Sequence, residues 1–171
     1  MSNYYEYLKR NICEAKNTEF ISKREYTIWI AAGERFNNEC EEVISELNDC
    51  ENVIYRIKQI GGDISQTIEA LKKRKTDNRY PLALPKINDS GSETLYVGSS
   101  VNKFGARLRL HLGANSPRTY ALHLSEWFQG SISLTVWQYD LKISRDVLQL
   151  IEDNLSFESK PSFGKMGANN R

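Results

Sequence analysis

The chain lacks the segments that mark membrane and secreted proteins. It contains no run of about 18 apolar residues, so we expect no membrane-spanning helix and no membrane partner. Its opening stretch, MSNYYEYLKR, has no apolar core of the kind that a signal peptide needs. We therefore expect an intracellular protein with a cytoplasmic location.

Cysteine is scarce as well. The chain has three cysteines, Cys13, Cys40 and Cys50, and their spacing does not match that of a metal site. Because the number is odd, a disulfide framework is not expected. Cys40 and Cys50 fall on an apolar helical pattern, which favours small buried thiols.

The chain also lacks an excess of charge of either sign. Its 23 lysine and arginine residues nearly balance 22 aspartate and glutamate residues, for a net charge of +1. Such a protein has no bulk field that attracts nucleic acid, so any DNA binding would depend on a local basic patch. The 171 residues, 40% of them apolar, fit one soluble domain or a small domain with a helical appendage.

The N-terminal part of the chain, residues 1–78, shows the periodicity of helices. Tyr4 to about Lys16 fits one helix, whereas residues 19–32 fit either a helix or a strand. Further along, apolar residues step alternately by four and three, which is typical of a heptad seam on a helix from about Gly33 to Ile60. The predicted seam consists of Phe36, Cys40, Val43, Leu47, Cys50, Ile54 and Ile57.

A second helix is predicted directly after this one. Gly61-Gly62 would end the first helix and Asp63 would cap the next, which Lys72-Lys73-Arg74-Lys75 would end. The predicted helical hairpin would either pack on its own chain, form a homodimer as a coiled coil, or contact DNA as an arm. The polar segment Thr76–Arg79 is the predicted boundary to a second unit, residues 79–171.

Residues 79–171 are predicted to form a small α+β unit. Strands are expected at Tyr80–Ile87, Thr94–Gly98 and Ser131–Tyr139. Helices are expected from Asn102 to near Gly113, from Ser116 to about Trp127, and from Arg145 to about Phe157 behind a Ser144 cap. This order predicts a three-stranded antiparallel sheet flanked by helices.

One stretch of this unit, LYVGSSVNKFGARLRLHL, bears on function. Tyr96 lies on a predicted strand, and Arg107 and His111 lie one helical turn apart on the helix that follows, with Lys103 on the same face. A guanidinium fork matches two phosphate oxygens, and an imidazole can accept a proton near neutral pH. The pattern favours a phosphodiester site; a solvated basic face and an ordinary sheet tyrosine are the alternatives.

The order of these residues resembles the GIY-YIG nuclease family over about residues 80–171. The matching positions are Tyr96-Val97-Gly98, followed by Ser99-Ser100, then Arg107, His111, Glu152 on the last helix, and Pro161. The first half of the family motif, Gly-Ile-Tyr, is not found on the predicted first strand. Ala83-Leu84-Pro85 stands there, and Tyr80 is the nearest tyrosine. The family asparagine after the proline is absent near Gly164, with Asn169 and Asn170 following.

The resemblance implies a divalent-metal-dependent endonuclease that hydrolyses phosphodiester bonds in DNA. Tyr96 and His111 would position and activate water, and Arg107 would hold the scissile phosphate. Glu152 would be the ligand of Mg²⁺, a cation that keeps much of its hydration shell. Asp153, the next residue, would point outward, although both carboxylates are also compatible with a solvated helix face.

Lys103 and Arg109 are the predicted contacts to the DNA phosphates. His123 and Asp140 are expected to be structural. Two alternatives to the nuclease remain. One is a catalytically impaired nucleic-acid-binding protein with the GIY-YIG fold, and the other is an assembly protein that acts through the helical hairpin.

Overall fold

A computed structural model of the chain describes residues 3–34, 37–77, 81–113 and 116–165. The strands are β1 (Ser22–Ile30), β2 (Val53–Ile60), β3 (Thr94–Ser100) and β4 (Gly130–Gln138). The helices are α1 (Tyr4–Asn17), α2 (Asn38–Glu46), α3 (Ile64–Thr76), α4 (Phe104–Leu112) and α5 (Arg145–Ser159), with a 3₁₀ turn at Leu124–Glu126. All four strands pair antiparallel in the order β1-β4-β2-β3. The α+β class is confirmed, but the predicted number of three strands is wrong.

The predicted heptad helix from Gly33 to Ile60 is wrong. Its residues instead form α2 and then β2, which pairs with β3 on one side and β4 on the other. The first three residues of β2, Val53 to Tyr55, are apolar and buried without alternation, and Ile54 and Ile57 lie three positions apart, so this run can imitate helical spacing. The β-branched residues Val53, Ile54 and Ile57 suit this strand. Phe36 of the predicted seam lies outside the described residues.

The predicted helical hairpin is therefore not present in the described residues, because its first arm is divided between α2 and β2 and only its second arm is the expected helix, α3. Asp63 caps α3 as expected, and its side chain accepts a hydrogen bond from the Ser65 amide at 2.9 Å. Because the described residues do not form the predicted seam, it no longer supports a dimerisation coiled coil or a DNA-contacting arm. Gly61-Gly62, expected to stop a helix, instead follow the end of β2.

Strands from both sides of the predicted domain boundary share the one sheet. β1 and β2 come from the N-terminal part of the chain, and they pair with β4 and β3 from the C-terminal part. The boundary residues Asn78 and Arg79, and also Tyr80, lie outside the described residues.

Two predicted elements of the C-terminal part are wrong. Residues 81–87 form no regular strand, and only Ile87 makes a single bridge, to Phe163. Two prolines remove backbone donors from this segment and so weaken it as a strand. The helix predicted from Ser116 is also absent from the described residues, and the Ser116 hydroxyl bonds that of Thr119 in a turn instead.

The other predicted helices and strands agree with the structure. β3, β4, α1, α4 and α5 lie where they were expected, and Ser144 caps α5 by accepting from the Val147 amide at 3.2 Å. Only the cap of α4 differs, because Lys103 rather than Asn102 precedes the helix. Cys40 and Cys50 are buried thiols, as predicted.

The sheet has helices on both faces. On one face Tyr55 and Ile57 of β2 pack in a core that also contains Phe104 and Leu108 of α4. On the other face Ile54 packs in a smaller cluster with Leu148 of α5. Helix α1 lies against α5, where the Tyr7 hydroxyl donates to Asp146. No helix in the described part of the chain is long and apolar enough to cross a membrane.

The segment after α5 returns along the free edge of β3. The Ser162 amide donates to the Thr94 carbonyl at 2.8 Å, and the Phe163 amide donates to the Leu95 carbonyl at 3.0 Å. Phe163 is completely buried and anchors this segment. Gly164 follows with φ +104°, and a Cβ at this position would lie 3.0 Å from the ring of Tyr96. The return therefore packs the backbone of Gly164 closely on a predicted site residue.

Candidate active site

Two tyrosines from neighbouring strands lie at the centre of the site. Tyr55 on β2 and Tyr96 on β3 stack with their ring centroids 6.1 Å apart. Tyr55 lies opposite Gly98, where a Cβ would approach the Tyr55 hydroxyl to 2.6 Å. Glycine at position 98 therefore makes room for this hydroxyl group. Tyr55 was not predicted as a site residue, because its segment was assigned to the predicted heptad helix.

His111 of α4 is hydrogen-bonded to the Tyr55 hydroxyl and fixes its position. The His111 side chain is fully buried, and its Nδ1 accepts a hydrogen bond from the Leu122 amide at 3.3 Å. Burial, together with the nearby Arg107 cation, keeps the pKa of His111 well below its usual value, so the ring is neutral. A neutral ring that accepts at Nδ1 carries its proton at Nε2, which lies 2.9 Å from the Tyr55 hydroxyl. His111 therefore donates to Tyr55.

The Tyr55 hydroxyl oxygen thus accepts from two donors. The second is Nε of Arg107, at 3.4 Å. With its lone pairs engaged in this way, the oxygen must direct its own proton elsewhere, and Tyr55 lines the adjoining cleft. Burial raises the pKa of Tyr55 far above its usual value, so the side chain stays a neutral phenol. Tyr55 is therefore a fixed hydrogen-bond donor at the floor of the cleft.

Arg107 joins both tyrosines to a neighbouring loop. Its Nη2 donates to the Tyr96 hydroxyl at 3.3 Å, and its Nη1 donates to the Tyr120 carbonyl at 2.9 Å. Burial lowers the pKa of the guanidinium, but contact with the two tyrosine hydroxyls outweighs burial and raises it, so the group is always charged. These contacts use three of the five N–H donors. Arg107 forms no salt bridge with any carboxylate in the described ranges.

Glu152 of α5 approaches the same cleft from the other face of β3. One of its carboxylate oxygens accepts a short hydrogen bond from the Ser99 hydroxyl. Burial raises the pKa of Glu152, and the hydrogen bond from Ser99 partly offsets this effect. Asp153 bonds to Gln149 at 3.0 Å on its own helix and does not line the cleft. The structure thus distinguishes the two neighbouring carboxylates by position.

These residues line a cleft of about 740 Å³. Among its described lining residues the cations are Lys75, Lys86, Arg107, Arg145 and Lys165, and the only carboxylate is Glu152. The nearly neutral chain therefore has a local basic patch, the feature that DNA binding would require of it. Within the described ranges, no group of three or more histidine, cysteine, aspartate or glutamate side chains is arranged to hold a metal ion.

The other two predicted phosphate contacts lie outside the cleft. Lys103 pairs with Asp49 at 3.4 Å. Arg109 makes a two-pronged ion pair with Glu41, with both N–O distances at 2.8 Å. The helical spacing that grouped Lys103 with Arg107 and His111 does not hold, since Lys103 precedes the helix and His111 faces the core.

His123 and Asp140 have the structural roles expected of them. His123 is buried and contacts the Thr119 carbonyl through Nε2 at 3.0 Å. Asp140 accepts from the Lys142 amide at 2.8 Å in the turn before α5. Both therefore shape loops.

Comparison of the chain with known proteins gives no match to a family model, a curated protein or a solved structure. The geometry of the cleft is therefore what bears on function.

Proposed function

We propose that the protein is a divalent-metal-dependent endonuclease of the GIY-YIG type that hydrolyses phosphodiester bonds in DNA. One observation carries the proposal. An arginine without a carboxylate partner in the described ranges bonds to the hydroxyls of two tyrosines from adjacent strands, at the floor of a basic cleft. A largely desolvated cation that forms no salt bridge with a described carboxylate favours the binding of an anion such as a phosphate.

Tyr55 also supplies a residue that the family resemblance lacked. Val53-Ile54-Tyr55 on β2 fits the place of the family's Gly-Ile-Tyr, with valine instead of glycine. This segment pairs with β3, which carries Tyr96-Val97-Gly98. Helix α3 and the loop after it separate the two motif halves along the chain. The pairing of β2 with β3 supports the resemblance. Because the two motif halves lie far apart along the chain, the first half was not found near Tyr80.

Each residue of the cleft then takes a role. Arg107 holds the scissile phosphate, because its charge is permanent and two of its N–H groups are free of the contacts described above. Tyr55 directs its hydroxyl proton toward the phosphate and stabilises the charge that develops there. Tyr96, more exposed than Tyr55, meets the attacking water and orients it.

His111 is assigned a different role from the one predicted. It was expected to activate water, but its ring is completely buried and both ring nitrogens are engaged. We therefore assign it as a positioning residue that fixes the hydroxyl group of Tyr55.

Glu152 is the residue that would hold a divalent cation. Mg²⁺ is commonly bound through one or two carboxylates, with water and substrate oxygens as its other ligands. A single half-buried carboxylate beside the phosphate site fits this requirement, and a three-residue cluster is not needed. When bound, the cation would supply charge neutralisation at the phosphate and the leaving oxygen.

Nicking of supercoiled plasmid DNA tests the proposal. We expect the wild-type protein to nick the plasmid in Mg²⁺ and to stop when a chelator is added. Glu152→Gln should lose the activity, whereas Asp153→Asn, a neighbouring carboxylate outside the cleft, should keep it. Nicking that persists in Glu152→Gln would exclude Glu152 as the metal ligand.

A second function, DNA binding without cleavage, is favoured by one observation. Glu152 is the only carboxylate among the described residues that line the cleft, and burial raises its pKa, which disfavours the charged form that a metal ion needs. DNA binding without nicking under Mg²⁺, Mn²⁺ and Ca²⁺ would identify the protein as this binding form.

A further inference from the structure

Tyr120 presents an exposed aromatic ring at the basic cleft. Its side chain is 70% exposed, although the flanking residues Ala121 and Leu122 are almost completely buried. Tyr120 lines the cleft together with Arg107 and Glu152. No role in the core or in the proposed chemistry accounts for this ring.

The backbone that carries this ring is held in place. The Tyr120 carbonyl accepts from Arg107 at 2.9 Å, and the Ala121 amide donates to the Ala83 carbonyl at 3.3 Å. The next amide, that of Leu122, donates to His111. Because this backbone is already ordered, only the Tyr120 side chain would lose freedom when it binds a ligand, which favours stacking.

Arg107 links the backbone of Tyr120 to the proposed phosphate site. The same guanidinium bonds to the Tyr120 backbone and to both hydroxyls at the floor. A nucleotide whose phosphate contacts Arg107 would therefore place its base near the Tyr120 ring. Aromatic rings stack on any base, since every base has a π-face.

A stacking ring in a cleft of this size favours one class of DNA structure. Its volume of about 740 Å³ lies in the range of sites that hold a small molecule or a single nucleotide. In a duplex, both faces of an internal base are covered by neighbouring bases, whereas an unpaired base leaves its face open. Of the possible bases, an unpaired one is therefore able to stack on Tyr120.

We propose that Tyr120 is a stacking platform for an unpaired nucleobase beside the phosphate that Arg107 holds, so that the preferred substrate carries single-stranded nucleotides at the reaction site. The proposal rests on the proposed function, because it assumes that the cleft binds DNA. It adds a residue and a substrate class that the resemblance did not supply.

DNA binding in the presence of a chelator tests this proposal without cleavage. Fluorescence anisotropy would compare a single-stranded oligonucleotide, the matching blunt duplex, and the duplex with a single-stranded overhang. We expect tighter binding of the first and third. Tyr120→Ala should weaken their binding roughly tenfold or more, the size of a stacking contact, and should change duplex binding less. Tyr120→Trp should restore the affinity.

A 2-aminopurine base in the oligonucleotide reports stacking directly. Its fluorescence should fall on binding to the wild-type protein and to Tyr120→Trp but not to Tyr120→Ala. Phe157→Ala is the matched control, because Phe157 is 73% exposed on α5 and does not line the cleft. It should leave both affinity and fluorescence change intact.

The outcomes separate the two proposals. DNA binding that is equal for duplex and single strand and insensitive to Tyr120→Ala would overturn the stacking proposal alone. Absence of binding to every DNA would overturn the proposed function, and the stacking proposal with it.

Discussion

The floor and the mouth of the cleft differ in how their side chains are held. At the floor, Tyr55 and His111 are almost fully buried, and each hydroxyl or ring nitrogen has an assigned partner. At the mouth, Tyr120 is exposed and Lys75 is only partly covered. The floor is thus built for fixed geometry, and the mouth is available for contacts with a substrate. Substitutions at the floor should therefore affect reaction rate and stability, and substitutions at the mouth should affect affinity.

The largest effect is expected for Arg107→Ala. Loss of the group that is proposed to hold the phosphate should lower the single-turnover nicking rate by about 10²- to 10³-fold, as for other groups that stabilise transition-state charge. Arg109→Ala is the matched control, since Arg109 is on the same helix but pairs with Glu41 outside the cleft. Equal losses in the two variants would contradict the assignment of Arg107.

Tyr55→Phe should affect both rate and stability. It removes the acceptor of the buried His111 Nε2–H, which should lower the free energy of unfolding by about 1–3 kcal/mol in urea titrations. Tyr26→Phe is the comparison, because the Tyr26 hydroxyl donates to Glu46 at a more exposed position. The decrease in the free energy of unfolding should be smaller for Tyr26→Phe than for Tyr55→Phe. A Tyr55→Phe protein with wild-type nicking would remove Tyr55 from the reaction.

Stability should fall in acid because both histidines are held neutral. Burial lowers the pKa of His111 and His123, so below about pH 6.5 the unfolded chain binds protons that the folded chain does not. The stability from this source is present above that pH and is lost as the pH drops, by up to about 1.4 kcal/mol per pH unit for His111, whose pKa is lowered further than that of His123. We would measure the free energy of unfolding in urea titrations between pH 8 and 5. In His111→Gln its slope against pH should be smaller by up to about 1.4 kcal/mol per pH unit, the contribution of one proton. An unchanged slope would show that His111 is not buried as a neutral ring.

The smallest effect is expected at the mouth. Lys75→Ala should weaken DNA binding only a few-fold and reduce the salt dependence of the binding constant by about one counterion. Lys103→Ala should do neither, because Lys103 pairs with Asp49 away from the cleft. Binding titrations over a range of salt concentrations would measure both variants. A larger salt effect for Lys103 would place the DNA on a different surface.

The features that the sequence predicted are local ones. Ser144 and Asp63 cap the helices that follow them, and the strand around Tyr96 shows its own alternation. Arg107 and Glu152 were chosen by their place in a family pattern, and both line the cleft. Caps and alternation depend on residues a few positions apart, and the family pattern depends on residue types in a fixed order, so a single sequence contains both.

The features that were missed depend on pairing across the chain. Tyr55 meets Tyr96 only because β2 pairs with β3, and the apolar residues around Tyr55 imitate a helical seam. The burial of His111 depends likewise on the loop that contains Leu122. The start of β2 is apolar on both faces and shows no alternation, so a helical spacing matches it as well as a strand does.

A double-mutant cycle of nicking rates tests most directly whether the floor acts as one unit. Single-turnover rates in Mg²⁺ would be measured for the wild-type protein, Tyr55→Phe, Arg107→Ala and the double variant. Because Tyr55 and Arg107 are in contact and are both proposed to act on the same phosphate, we predict that the double variant is little slower than Arg107→Ala alone. Fully additive losses, or a wild-type protein that cleaves no DNA with any divalent metal, would contradict the account.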